Sequence, residues 1–569
     1  MKYRLLIAPQ PGDIAFDDGL SFFGSNLTIA VLNGTVPQWR LDDMATRILA
    51  AWFYVGRDNN TVNINFDSWT LDTYNYEHYY VGKNWALVNE HVDVRNEHGA
   101  LIRDIDARST VLLKNVNNTL PLTGKEKLTA VFGEDAGSNL LGPNGCTDRG
   151  CDNGTLGMAW GSGSSNFPYL VTPDAALQQE VVSRYGAYES ILDNTAAAEI
   201  APLARRVAED GGVCIAFANS DSGEGYIEVD GNYGDRNNLT FWQNAEDMLA
   251  NVTANCNNTV LVIHSTGPVE IGQYKNNPNI TAILWAGVPG EQSGNGIADV
   301  LYGRVNPGAK LPFTMGDTRS DYGTDILYTP NSPVPQTNFQ EGVFIDYRAF
   351  DRHNITPVYE FGYGLSYTNF SISNLQIKKI NAGNYTATTG FTAPAPLYGN
   401  ITNSTAAHVF PGNFTRVPLY VYPWLNSTNL TEAYGWTDYG DNSFIPANAL
   451  SGAPQKRLPA SGAPGGNPEL WDVLYQVTVS VTNTGKVAGE EVPQLYLSLG
   501  GPYDPAHILR GFERLSIQPN QTTTATFDIM RRDISNWDTV SQNWVISNYT
   551  KTVYVGNSSR NLVLSGLLR

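Results

Sequence analysis

The stretch GGVCIAFANSDSGEGY (Gly211–Tyr226) decides the fold, because an apolar run in it leads directly into a glycine-rich, acidic loop. A short, wholly apolar run is typical of a strand buried on both faces, as in a parallel sheet. In such sheets ligands bind beyond the carboxyl ends of the strands. The loop that follows this predicted strand end carries five carboxylates: Asp221, Glu224, Glu228, Asp230 and Asp235.

Three interpretations of this loop compete: a solvated surface loop, a cation site, or a carboxylic acid held for catalysis. A calcium loop of the EF-hand type needs an Asp-x-Asp-x-Asp-Gly spacing, which is not found here. A catalytic acid needs its pKa raised towards the working pH, which desolvation against aromatic side chains can supply. Tyr226 lies two residues after Glu224 and could form such a wall. We interpret the pair Asp235–Arg236 as structural, ordering the loop.

The pattern around this stretch predicts an α/β domain. Apolar strands alternate with helical segments such as FWQNAEDMLANVTANC and EQSGNGIADVLYG, which indicates a mainly parallel sheet covered on both faces. Upstream, EHGALIRDIDARSTVLLKN predicts a helix that runs into a strand, and Asp42–Gly56 predicts an amphipathic helix. The strands are predicted at residues 128–133, 213–218, 259–264 and 280–286.

The last third of the chain has a different pattern. In YQVTVSVTNTG the residues Val477, Val479 and Val481 alternate with polar residues, and PQLYLSL and TVYVGNSS are similar. Short alternating strands separated by turns predict a β-sandwich. Residues 385–465 are rich in Pro, Gly, Ser, Thr and Asn, and we interpret them as a surface insertion.

Composition limits the function classes. The 569 residues include 36 Lys and Arg against 55 Asp and Glu, a formal net charge of −19, which argues against nucleic acid or an anionic membrane as partner. About twenty Asn-x-Ser/Thr sequons predict a secreted protein with N-linked glycans. The opening MKYRLLIAPQPG lacks the apolar core of a signal peptide, so we expect the N-terminus to be incomplete.

Four cysteines are too few to hold a chain of this length together. Cys146 and Cys151 flank the sequence TDRG and could close one small loop by a disulfide, worth roughly 2 kcal/mol in the chain-entropy model. Cys214 lies in the apolar strand and Cys256 near the end of a helix, and we interpret both as buried free thiols. No CxxC pair supports a zinc site.

Several motifs together resemble those of the fungal β-glucosidases of glycoside hydrolase family 3. They include GCTDRGCDNGTLGMAWGSG, NSDSGEGYIEVDGNYGDRNNLT, AILWAGVPGEQSGNGIADVLYGRVNPGAKLPFT, EGVFIDYRAFD and YEFGYGLSYTNF. The resemblance runs from about PQPGDIAF to the C-terminus and does not cover residues 1–8.

The resemblance implies a (β/α)8 barrel, an α/β sandwich domain and a fibronectin type III-like β-sandwich. Only the end of the barrel has a counterpart here. The implied divisions are a barrel remnant (1–60), a linker (61–105), the α/β sandwich domain with the acid/base loop (106–320), a linker with the start of the fibronectin-like domain (321–384), a glycosylated insertion (385–465), and the fibronectin-like domain (466–569).

The resemblance also implies a retaining mechanism that uses two carboxylates about 5–5.5 Å apart. Glu224 matches the acid/base of the family. The nucleophile is the Asp of a Ser-Asp-Trp motif, and that tripeptide occurs nowhere in the 569 residues. Ser162 matches a position that contacts the sugar, and Tyr226 and Phe16 match positions beside the leaving-group sugar. On its own Ser162 would be a turn residue, and the alternative for either aromatic residue is simple core packing.

We therefore predict a secreted exo-acting β-glucosidase that uses no cofactor or metal and acts on cellobiose and short cello-oligosaccharides. We expect the chain as given to be inactive alone, because the nucleophile is absent from it. Two alternatives remain open. One is a non-catalytic remnant that binds glucosides weakly, and the other is a related exo-glycosidase such as a β-xylosidase.

Overall fold

The structure is a computed structural model of the 569-residue chain. It describes residues 36, 38–59, 66, 70–76, 85–145, 153–159, 164–223, 228–229, 232–233, 236–327, 329–380, 383–386, 467–541 and 543–569. Residues 95–384, 469–536 and 545–569 belong to one compact unit, and the remaining segments belong to a second.

A six-stranded sheet forms the centre of the first unit. Its strand order is β3-β10-β9-β6-β4-β5. Five strands are parallel, and β3 at one edge runs antiparallel to β10. The predicted mainly parallel sheet is therefore confirmed. The strands are β3 (Val111–Asn115), β4 (Leu128–Phe132), β5 (Ala187–Ile191), β6 (Val213–Ser220), β9 (Thr259–Ser265) and β10 (Ile280–Gly287).

Helices cover both faces of this sheet because successive residues of the strands point to opposite sides. In β6, Cys214, Ala216 and Ala218 pack on one side against α4 and α5, while Val213, Ile215 and Phe217 pack on the other against α2, α3 and α7. All eight residues of β6 are buried, as expected for a central parallel strand. The helices are α2 (His98–Ser109), α3 (Pro173–Ser183), α4 (Ala197–Asp210), α5 (Ala245–Asn255), α6 (Gly272–Asn276), α7 (Ser293–Leu301) and α8 (Tyr347–Arg352).

A disulfide joins this sheet to one of its helices. Cys214 of β6 is bonded to Cys256, the residue after α5, and the two Cα atoms are 6.7 Å apart. The prediction that both are free thiols is wrong. The pattern places each cysteine correctly in an apolar environment, but it does not show that α5 packs its C-terminal end against the start of β6. The predicted pair Cys146–Cys151 lies outside the described residues.

The C-terminal part is a β-sandwich, as predicted. One sheet has the order β11-β12-β17 and the other β15-β14-β20-β21. Val477, Val479 and Val481 of β12 are at most 1% exposed and pack with residues of the opposite sheet such as Leu495 and Val553. The strands of these two sheets are β11 (Phe370–Lys379), β12 (Val473–Asn483), β14 (Gln494–Ser498), β15 (Ile508–Phe512), β17 (Thr522–Met530), β20 (Thr552–Gly556) and β21 (Leu562–Leu567). Two separate strand pairs are β13 (Gly489–Glu491) with β16 (Leu515–Ile517), and β18 (Asn536–Asp538) with β19 (Asn543–Val545).

Buried polar contacts join the sheet domain to the sandwich within the same unit. Lys310 Nζ lies 2.7 Å from Glu491 Oε1, and both side chains are almost completely buried. Nearer the surface, Glu490 pairs with Arg108 at 2.8 Å and with Arg514 at 2.6 Å. These contacts fix the start of the sandwich against the α/β domain.

The second unit contains the predicted N-terminal helix and a short hairpin. Helix α1 spans Gln38–Tyr54 and ends near Gly56, whose φ of 72° suits a helix end. Strands β1 (Tyr74–Tyr76) and β2 (Trp85–Leu87) pair antiparallel within the predicted linker. Apolar side chains of α1 are exposed, among them Ile48, Leu49, Trp52 and Phe53. Within the described residues, we find no helix with the length and apolar character of a membrane span.

Candidate active site

The carboxyl ends of β4, β6 and β9 lie side by side, and each carries buried polar side chains just where the strand ends. Asp135 follows β4, Asn219 and Ser220 end β6, and His264 and Ser265 end β9. All five are at most 2% exposed. Most polar side chains at this depth are hydrogen-bonded, so a polar network is expected at this edge.

Asp135 is the centre of that network. One of its carboxylate oxygens, Oδ2, accepts a hydrogen bond of 2.8 Å from His264 Nδ1. The other, Oδ1, accepts one of 2.9 Å from the Leu156 amide and a longer one of 3.4 Å from Asn219 Nδ2. Asp135 therefore ties the ends of three strands to the loop that contains Leu156. The other ring nitrogen of His264, Nε2, is buried and has no hydrogen-bond partner among the described residues.

Close backbone packing brings Asp135 to this position. Gly133 directly follows β4 and has a φ of 114°, which residues other than glycine rarely adopt. A Cβ atom at this position would lie 2.2 Å from the backbone oxygen of Phe217 in β6. Glycine is thus required for the chain to turn over the neighbouring strand and present the short 3-10 helix Glu134–Ala136 at the sheet edge.

The acidic loop leaves the sheet from the next strand along this edge. Asp221 is completely buried, and its Oδ1 accepts a hydrogen bond of 2.7 Å from the Ser222 amide. The chain returns at Arg236, whose Nη1 donates to Ser220 Oγ at 3.2 Å and whose Nη2 donates to the Pro268 carbonyl at 2.5 Å. The loop between them therefore begins and ends at the same strand end.

The charges of the buried groups favour this position of Arg236. Burial lowers the pKa of Arg236, while Tyr322 and the negative charge of Asp221 act in the opposite direction. Burial also raises the pKa of Tyr322 to about 12, so its hydroxyl stays neutral and donates to the Thr314 carbonyl. Arg236 thus holds a positive charge near the end of β6, where the side chain of Asp221 can stabilise it.

A second loop is fixed beside the first. The Glu134 side chain accepts a hydrogen bond from the Gly154 amide, and the Glu134 amide donates to Asn194 Oδ1 at 3.0 Å. Thr155 donates from both its amide and its hydroxyl to the Gly137 carbonyl. The segment Asn153–Ala159, which leads towards Ser162, is therefore held against the end of β4.

All of the predicted substrate-contacting and catalytic positions lie in segments that are not described: Glu224, Tyr226, Ser162 and Phe16. Asp235, the predicted partner of Arg236, also lies outside the described residues. What the structure does show is the anchorage of the loops that carry Glu224, Tyr226 and Ser162.

Sequence reasoning missed the pair Asp135–His264. A signal was present, since each residue stands at the end of a predicted apolar strand, where a buried polar group is most informative. In a parallel sheet such ends converge, so the two positions could have been considered together.

Comparison with known proteins identifies both parts of the first unit. The profile of the Glycosyl hydrolase family 3 C-terminal domain matches residues 110–367, and that of the Fibronectin type III-like domain matches residues 491–559. Two curated relatives are a probable beta-glucosidase A from Aspergillus terreus, 55% identical, and one from Aspergillus clavatus, 54% identical; each match covers 98% of this chain. The chain spans about 65% of the length of the first and 64% of that of the second.

Solved structures give the same result. A glycoside hydrolase family 3 beta-glucosidase from Neurospora crassa is 54% identical with a TM-score of 0.83, and the match covers 98% of this chain and 67% of that one. A beta-glucosidase from Chaetomium thermophilum is 54% identical with a TM-score of 0.82 and the same coverage. One from Trichoderma reesei is 34% identical with a TM-score of 0.71, covering 96% of this chain and 62% of the other.

Proposed function

Because the chain belongs to glycoside hydrolase family 3, we propose that it acts in the hydrolysis of terminal β-D-glucosyl residues, with cellobiose and short cello-oligosaccharides as substrates. Glu224 is the general acid/base in this proposal. It protonates the leaving oxygen and then activates the water that releases glucose. Ser162 contacts the sugar, and Tyr226 and Phe16 line the cleft beside the leaving group.

One observation carries this proposal: the loop with Glu224 is anchored at both ends to the carboxyl end of the central strand β6. Its start is fixed by the buried Asp221 and its return by Arg236, which bonds to Ser220. A general acid must be held within hydrogen-bond reach of the glycosidic oxygen, so its loop needs a rigid base. The network around Asp135 supplies that base for the neighbouring loop as well.

The proposed retaining mechanism also needs a nucleophilic carboxylate. The 569 residues contain no Ser-Asp-Trp tripeptide, the motif whose Asp forms the glycosyl-enzyme in this family by resemblance. Without that carboxylate no covalent intermediate can form. We therefore propose that the 569-residue chain alone does not hydrolyse aryl β-glucosides, and measurable turnover of such a substrate by the purified chain would contradict this.

The role of Glu224 can be tested by complementation. The chain would be co-expressed with the N-terminal part of the Neurospora crassa relative that precedes the matched region, and activity on cellobiose measured. Glu224→Gln should then lower kcat on cellobiose by roughly a hundredfold or more. It should affect the first step on 2,4-dinitrophenyl glucoside much less, because that leaving group needs no proton.

Glu209→Gln is the matched control, since Glu209 is an exposed residue near the end of α4. It should change neither activity. If Glu224→Gln lowered kcat/KM, which reports the first step, equally for both substrates, the residue would not be the general acid. Azide can replace the water that the general base would activate. It should therefore restore turnover of 2,4-dinitrophenyl glucoside by the Glu224→Gln variant and should not accelerate the parent.

The absence of a Ser-Asp-Trp tripeptide also favours a second candidate, a non-catalytic protein that binds glucosides weakly. Titration of the purified chain with glucose distinguishes the two candidates when combined with the complementation result. Binding without any restored hydrolysis would support the non-catalytic candidate. We further propose that the protein is secreted and carries N-linked glycans, which mass spectrometry of the protein from its native source would test.

A further inference from the structure

A cavity of about 620 Å³ lies in the β-sandwich, between the ends of β11, β12 and β21 and the segment that precedes β20. It is separate from the sheet edge described above. Four of the sixteen described residues that line it are basic, and no described lining residue is Asp or Glu, although Arg569, the last of the 569 residues, also carries an α-carboxylate. The whole chain has the opposite balance, with 55 acidic and 36 basic residues, so the cavity is a local concentration of positive charge. The four are Lys379, Arg531, Lys551 and Arg569.

Neutral groups hold the Lys551 ammonium group, whereas Arg531 has an acidic partner. Lys551 Nζ donates to the carbonyl of Ser547 at 2.6 Å, to the Ser547 hydroxyl at 3.1 Å and to the carbonyl of Tyr549 at 2.9 Å. Among the residues that the structure describes, neither Lys551 nor Lys379 forms an ion pair. Burial lowers the pKa of Lys551, and the charge of Asp504 opposes this shift. Arg531 donates to the carbonyls of Glu469 and Gly383, with Asp472 Oδ2 3.6 Å away.

The rest of the lining combines apolar and aromatic residues with uncharged polar ones such as Ser547 and Thr550. Leu474, Ile534 and Leu568 contribute aliphatic surface, and the Tyr475 and Tyr549 side chains contribute rings. Tyr549 is 53% exposed, and Lys379 Nζ lies 5.9 Å from the centre of the Tyr475 ring. Aromatic faces of this kind stack on flat ligand rings, while an ammonium group binds a carboxylate. A volume of this size suits a small molecule.

From this combination we propose that the cavity binds a small acid whose carboxylate is attached to a six-membered ring. Lys379 and Lys551 provide the positive field for the carboxylate, and Tyr475 and Tyr549 cover the ring. Aromatic acids and uronic acids share this chemistry, so the experiment must separate them. The site does not depend on the proposed glucosidase activity.

The experiment uses the full 569-residue chain in both its glycosylated and its glycan-free form, because the lining residue Asn548 begins an Asn-Tyr-Thr sequon. Calorimetric titration would compare 4-hydroxybenzoate and glucuronate with their neutral counterparts, 4-hydroxybenzamide and glucose. For ligands of this size we expect a dissociation constant of about 1 mM for at least one acid. The neutral counterpart should bind at least about tenfold more weakly, because it lacks the charge that the lysines attract.

Lys379→Gln should weaken binding of the acid about tenfold, whereas Lys378→Gln is the matched control and should leave it unchanged. Lys378 is the adjacent exposed lysine of β11 and does not line the cavity. Tyr549→Ala should weaken binding by removing the exposed ring. The proposal is overturned if neither acid binds, if the neutral counterparts bind equally well, or if Lys379→Gln has no more effect than Lys378→Gln. Preference for one acid identifies the ligand class.

Discussion

Asp106 of α2 is a buried carboxyl group whose two oxygens have no hydrogen-bond partner within the described part of the chain. It faces Gly296 of α7, where a Cβ atom would lie 1.9 Å from Asp106 Oδ2. Burial, reinforced by the negative charge of Asp299, raises the pKa of Asp106 well above its usual value. The folded protein therefore retains a proton there that the unfolded chain releases.

This shift predicts the direction of a pH effect. Above about pH 4 the unfolded chain binds one proton fewer than the folded protein, so the free energy of unfolding falls by up to about 1.4 kcal/mol per pH unit. The loss continues until the pH passes the raised pKa. Asp106→Asn removes this slope, so it should match the parent near pH 4 and be more stable by at least about 1 kcal/mol at pH 7. Urea unfolding at both pH values measures the difference.

Asp104→Asn is the control, since Asp104 is an exposed residue of the same helix that pairs with Arg108. It should change stability by less than about 0.5 kcal/mol. A destabilised Asp106→Asn at pH 7 would show that the carboxyl group has a partner that it needs in its charged form.

Replacement of Asp135 is expected to destabilise the protein, because both of its carboxylate oxygens accept hydrogen bonds. Replacement by Ala leaves two buried donors, His264 Nδ1 and the Leu156 amide, without their acceptor. We expect Asp135→Ala to lower the free energy of unfolding by about 2–4 kcal/mol. Asp210→Ala, at an exposed helix end, should have little effect. Equal stability of the two variants in urea would exclude an organising role for Asp135.

At the residue scale, some candidate site residues were predicted from the sequence and others were found only in the structure. Glu224, Tyr226, Ser162 and Phe16 were predicted from resemblance alone and remain predictions. Asp135 and His264 emerged only from the structure, because a hydrogen bond between positions 129 residues apart leaves no local pattern.

At the scale of elements, strands and helices were predicted well where burial on both faces gave long apolar runs. The four predicted strands of the sheet agree with the structure within one or two residues. Strand β5, with the sequence AYESI, was not predicted, because an edge strand with a charged residue and partial exposure has no such run. The antiparallel direction of β3 could not be read from its composition either.

The disulfide between β6 and the residue after α5 was also not predictable from a local sequence pattern. Its cysteines are 42 residues apart, and only the packing of α5 on the sheet brings them together. For a loop of this length the chain-entropy model gives a stabilisation of about 4 kcal/mol. We expect Cys214→Ala/Cys256→Ala to lower the free energy of unfolding by an amount of this order.

Thiol titration of the denatured, unreduced chain provides an independent check. No reactive thiol should be found if Cys214 is bonded to Cys256 and Cys146 to Cys151. Two thiols that disappear in Cys214→Ala/Cys256→Ala would contradict the bond seen in the structure. Two thiols that persist in that variant would instead contradict the predicted Cys146–Cys151 pair.

On the scale of the whole molecule, the α/β domain and the β-sandwich were each predictable as folds, but their contact was not. The two domains meet through side chains far apart in sequence, such as Lys310 and Glu491. Glu491 Oε1 also accepts a hydrogen bond from the Val492 amide, and Lys310 donates to the carbonyl of Gly364. A charged pair at this depth depends on partners from both domains, which no local pattern specifies.

This pair leads us to expect that the two domains unfold together. Lys310→Met leaves Glu491 charged and buried, which should cost about 3–5 kcal/mol, and Glu491→Gln should cost a similar amount. The double variant should lose less than the sum of the single ones, because neither charge is then left without its partner. Glu189→Gln breaks the half-exposed pair with Arg206 and should cost less than about 1 kcal/mol. Calorimetry measures the number of unfolding transitions. If this contact couples the domains, the parent should show one transition and Lys310→Met two. A single transition in all variants would show that the contact does not couple them.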